Sequence, residues 1–107
     1  MEKSNLEKQL KRIDHMEKIL GDHGDVTERF AQSLEEFKES YKRYIELSNY
    51  YSSAEYFDDL KLEEEGKIPK NMSTAVLGED YVYDLIGENR NIMIELLKLA
   101  GLMAEQP

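Results

Sequence analysis

Apolar residues along the first twenty positions recur at steps of four and three: Leu6, Leu10, Ile13, Met16 and Leu20. That period places them on one helical stripe. Ser4 and Glu7 have capping-box spacing, so the pattern predicts a helix over residues 4–20. Gly21-Asp22-His23-Gly24 then reads as a tight connection closed by a glycine stop. Asp25, followed by Glu28, predicts the cap of a second helix over 25–51. Its stripe is Val26, Phe30, Leu34, Phe37, Tyr41 and Tyr44. Two amphipathic helices joined by so short a loop predict an antiparallel hairpin.

Ser52 and Ser53 interrupt the pattern, and Ser52 with Glu55 repeats the capping-box spacing. A short third helix is expected over 53–65, with Ala54, Phe57 and Leu60 facing inward. Gly66 should stop it and Pro69 should prevent its resumption. Residues 67–77 read as an ordered loop tacked down by Ile68, Met72 and Val76. A last helix is expected over 79–103, with Glu79 and Asp80 favouring its first turn electrostatically. Gly87 lies within its apolar face, where a kink is one outcome. The expected fold class is all-α: a helical hairpin, a short helix and a long C-terminal helix packed as a small bundle. The 107 residues fit a single domain, 1–107, with no internal repeat.

Composition narrows the chemistry. Net charge is -9, from 23 acidic and 14 basic residues, which disfavours phosphate backbones and anionic membranes as partners. There is no cysteine, which removes disulfides, thiolate zinc sites and cysteine nucleophiles together. The first residues are charged rather than apolar, and no apolar run approaches the roughly 18 residues of a membrane span. A cytoplasmic location is expected, with no nucleic acid and no membrane as partner.

The stretch from Tyr50 to Leu85 carries an ordered series of short motifs. They are Tyr50-Tyr51-Ser52-Ser53, Asp58-Asp59, Glu64-Glu65-Gly66-Lys67-Ile68-Pro69, Val76-Leu77-Gly78-Glu79-Asp80 and Tyr83-Asp84-Leu85. Lys11-Arg12-Ile13, Met16-Glu17 and Ile19-Leu20 precede them. This series resembles a bacterial family of small helical proteins, the domain of unknown function 4298. The chain departs from the family pattern at Ser52, where glycine is expected, at Tyr56 or Phe57, where tryptophan is common, and at Gly78, where serine would cap. The resemblance implies a bacterial origin and an all-helical fold, and no activity.

The residues themselves offer little catalytic machinery. Asp58, Asp59, Glu63, Glu64 and Glu65 are close in sequence, but one short helix cannot converge the several oxygens a hard cation needs. His15 and His23 lack the spacing of a di-iron bundle or a third zinc ligand. No Gly-x-Ser-x-Gly elbow or phosphate-binding glycine loop occurs. No catalytic residue, metal ligand or cofactor is expected.

Aromatic clustering stands out. Tyr41, Tyr44, Tyr50, Tyr51, Tyr56 and Phe57 place six of the ten aromatic residues within seventeen positions. Tyrosine suits protein interfaces because it buries much area and keeps a polar tip. The expected interaction surface is Tyr51, Tyr56, Asp59, Glu63 and Glu64. Phe57, Leu60, Gly66, Pro69, Tyr83 and Asp84 are expected to hold the segment, with Tyr83 packed inward and Asp84 accepting hydrogen bonds from the loop. The leading functional expectation is a non-enzymatic protein-interaction module that self-associates as a homodimer. The alternatives are a small carboxylate- or metal-dependent enzyme using residues 58–65, and an acidic antagonist of a nucleic-acid-binding protein.

Overall fold

The computed structural model describes residues 2–78 and 80–106. The element order is α1 (Glu2–Tyr51), α2 (Ala54–Glu64), a 3₁₀ turn (Ala75–Leu77) and α3 (Tyr81–Ala104). The described residues are all-helical and contain no strand. Contacts divide the chain into two units, Met1–Lys42 and Arg43–Pro107.

The expected hairpin does not form. Helix α1 runs without a break through Gly21-Asp22-His23-Gly24, so residues 4–20 and 25–42 lie in one helix. The reason is energetic. A helical glycine costs about 1 kcal/mol against alanine, far less than an internal proline at about 3 kcal/mol. Turning the chain would also forfeit the i→i−4 hydrogen bonds across residues 21–25. Ion pairs one turn apart line the solvent side of the first unit. Asp14–Lys18 spans 3.2 Å, Glu35–Lys38 3.2 Å and Glu39–Lys42 3.6 Å. All are exposed, and each contributes only a few tenths of a kcal/mol. No residue of α1 is buried.

In the second unit, the end of α1 is tied by serines. Ser53 Oγ donates to the Tyr50 carbonyl at 2.6 Å and accepts from the Tyr56 N–H at 3.3 Å. One side chain thus serves a terminal carbonyl of α1 and a free N–H of the first turn of α2. The N-cap is Ser53 rather than Ser52, whose hydroxyl donates to the Asn49 carbonyl at 3.4 Å.

Helix α2 ends in a Schellman motif. Gly66 adopts φ +70°, its N–H bonds the Glu63 carbonyl at 2.9 Å, and the Lys67 N–H bonds the Leu62 carbonyl at 3.2 Å. These 5→2 and 6→1 bonds require the left-handed conformation that glycine adopts without strain. Pro69 follows and accepts from the Met72 N–H at 3.1 Å.

Helix α3 starts at Tyr81, with Asp80 in the cap position, and continues through Gly87 without interruption. The first-turn role expected for Glu79 lies outside the described residues. Gly78 precedes the cap by two positions, so a serine there would not cap α3. A side chain at that site would also crowd Tyr81 Cδ2 at 3.0 Å and the Ala75 carbonyl at 3.2 Å.

Candidate functional site

The residues singled out from the sequence gather around α2, and their burial reverses part of the expectation. Tyr56 is 7% exposed, whereas the neighbouring Phe57 is 63% exposed. The Tyr56 ring packs edge-on to Tyr50 with centroids 5.7 Å apart, and lies 5.1 Å from Tyr51 and 5.7 Å from Phe57. Tyr56 is therefore the anchor of α2, and Phe57 is the ring left to solvent. Edge-to-face pairs of this kind add stabilisation beyond the area they bury. Leu77 and Val82 are the other buried apolar residues described, and neither was among the expected site residues.

One row of α2 carries Tyr56, Asp59, Leu60 and Glu63, at steps of three, one and three; it is buried at Tyr56, half-buried at Asp59 and Leu60, and exposed at Glu63. Asp59 is half-buried and accepts a 2.5 Å hydrogen bond from the Tyr50 hydroxyl. Glu63 accepts from Thr74 Oγ1 at 3.1 Å. Two carboxylates of the acidic stretch thus tie α2 to the end of α1 and to the loop before α3. The first bond is half-buried and the second is exposed to solvent. Glu64 and Tyr83 are exposed, Tyr51 and Leu60 are half-buried, and Asp84 lies exposed in the first turn of α3. Tyr83, expected inward, is 67% exposed.

A cleft of about 280 Å³ opens between α2, the loop and the 3₁₀ turn. Its walls are mainly apolar, including Leu62, Ile68, Pro69, Val76 and Leu77, with Tyr50 and Asp59 on one side. This volume falls just below the roughly 300–1,000 Å³ of usual small-molecule sites. The Tyr50 hydroxyl is the donor of this polar pair. The carboxylate of Asp59, held by the hydrogen bond, and burial together push the Tyr50 hydroxyl up to about 12, so it stays protonated at neutral pH. Among the described residues no three His, Asp or Glu side chains are grouped to hold a metal ion. Among the same residues no helix is long and apolar enough to cross a membrane.

These motifs fall within a longer match. The family model described as Domain of unknown function (DUF4298) matches residues 13–99. The chain belongs to this family. The DUF4298 match runs from the middle of the α1 apolar stripe, through the Ser53 cap, the Schellman turn and the cleft, into the last turns of α3. No curated protein matches the chain.

Two signals for the site were present but unread. Tyr50 and Asp59 are nine residues apart across a helix break, a spacing that periodicity within one helix does not evaluate. Glu63 and Thr74 are eleven apart, across the Gly66 turn.

Proposed function

We propose that this DUF4298 protein is a non-enzymatic protein-interaction module of the bacterial cytoplasm that self-associates as a homodimer. The observation that carries the reading is the apolar stripe of α1. Ile13 is 56% exposed, Phe30 is 49% exposed, and Leu6, Leu10, Met16 and Leu20 are exposed beside them. A contiguous apolar row along a helix is costly in water and marks a surface that binds protein. An enzyme built on residues 58–65 has less support, because Asp59 and Glu63 are engaged by Tyr50 and Thr74.

Light scattering coupled to size exclusion tests the proposal. The expected result is a mass twice 12.5 kDa over a wide concentration range. A mass of 12.5 kDa throughout would remove self-association from the reading.

A further inference from the structure

Because α1 is one helix, its apolar positions fall in a single heptad frame from the first unit's start to its end. Leu6, Ile13, Leu20, Thr27, Leu34 and Tyr41 occupy one core position at steps of seven. Gln9, Met16, His23, Phe30 and Phe37 occupy the other, three residues on. A repeat of 3.5 residues is the signature of a helix that coils around another.

The two halves of this stripe differ in size. Before Gly21 the core residues are aliphatic or polar, and from Phe30 onward they are mostly aromatic. A parallel pairing of two copies would stack Phe30 on Phe30, Phe37 on Phe37 and Tyr41 on Tyr41, with smaller layers in the first half. An antiparallel pairing centred on Asp25 sets each phenylalanine against an aliphatic residue, Ile13 with Phe37 and Leu20 with Phe30, and places two mid-sized residues, Met16 and Leu34, between them. Alternating large and small residues is how facing layers fill space without voids or strain.

We infer that the partner of the α1 stripe is a second copy of this chain, bound antiparallel about a two-fold axis near Asp25. This rests on the self-association proposed above and names its surface. The inferred contact supplies between copies the helix-on-helix packing that the sequence pattern asked of a hairpin, an exchange of the domain-swapping kind. The central layers pair His23 with Thr27, and a polar layer of this sort fixes register. On the flank, Glu17 faces Lys38 of the other copy, and no like-charged pair arises at the flanking positions between residues 10 and 40. The contact from residue 9 to residue 41 is about 50 Å long and about 10 Å wide. That gives on the order of 1,000 Å² over both copies, about what a specific interface requires.

The chain has no cysteine, so single introduced thiols report contacts cleanly. Met16→Cys and Leu34→Cys proteins are prepared separately, mixed under reducing conditions, and oxidised; their masses are measured before oxidation. A covalent dimer from the mixture, with none from either protein alone, is the expected result. A covalent dimer of Met16→Cys alone would overturn the antiparallel arrangement. A non-covalent dimer giving no cross-link in any tube would overturn the α1 interface while leaving self-association standing. A monomeric mass for both proteins and for the unsubstituted chain would overturn both.

Discussion

Residues 2–42 and residues 43–106 are both helical, yet they are held in different ways. The first unit is a single stretch of α1, with exposed ion pairs, an exposed apolar stripe and no buried side chain. Its order comes from backbone hydrogen bonds and local propensity, which leave most of its apolar surface wet. Among its described residues the second unit buries Tyr56, Leu77 and Val82, and it has a serine that caps two helix ends, a glycine turn and two carboxylates that staple α2 to its neighbours. The difference teaches that one helical pattern can serve two ends. The second unit buries Tyr56, Leu77 and Val82 while much of the α3 apolar face, including Leu97, Leu102 and Met103, stays exposed. None of the first unit's described side chains is buried, and its stripe is the surface proposed above for a partner.

The largest effect expected from breaking this contrast is at Tyr56. Tyr56→Ala should cost about 3 kcal/mol or more in urea denaturation, because it empties a buried aromatic site. Phe57→Ala should stay within about 0.5 kcal/mol, as exposed substitutions usually do. Equal losses at the two positions would mean that α2 is anchored differently.

Next comes the hydrogen bond from Tyr50. Tyr50→Phe should lower stability by about 1–2 kcal/mol, since it leaves the half-buried Asp59 carboxylate without its donor. The same bond sets a pH dependence. The Tyr50 hydroxyl is pushed up to about 12 in the folded chain, against about 10 for an unfolded tyrosine. Between these values the folded state holds a proton that the unfolded state has lost, so stability must fall as pH rises from about 10 to about 12. Below pH 10 the contribution is fully present. Alkaline denaturation followed by circular dichroism should show a smaller loss over that window in Tyr50→Phe than in the parent. Gly66→Ala ranks third, at about 1–2 kcal/mol, because alanine is strained at φ +70°.

Much of this was legible in the chain. The helical period, the stop at Gly66 and the loop after Pro69 follow from local chemistry, and the structure has all three. Which aromatic residue of α2 turns inward was not. The helix is eleven residues long, so rows through Tyr56 and through Phe57 fit the period equally. The choice falls to a ring pair and a hydrogen bond with Tyr50, on another helix. The Gly21–Gly24 stretch was misread for a related reason. Two glycines weaken a helix without ending it, and the residues on either side keep one apolar stripe in phase. A turn and a continuous helix therefore share the same pattern, and hydrogen bonding across residues 21–25 decides between them.

That choice underlies both the exposed stripe and the interface inferred from it, and the two glycines test it most directly. Nothing lies within 4 Å of a side-chain carbon built at Gly21 or at Gly24. Thermal unfolding of Gly21→Ala/Gly24→Ala, followed by circular dichroism, therefore measures helix continuity alone. An unbroken α1 predicts undiminished helix signal and a gain of up to about 1 kcal/mol at each site, seen as a higher Tm. A lower Tm, with helix signal lost on substitution, would place a turn at residues 21–24 and contradict the continuous helix.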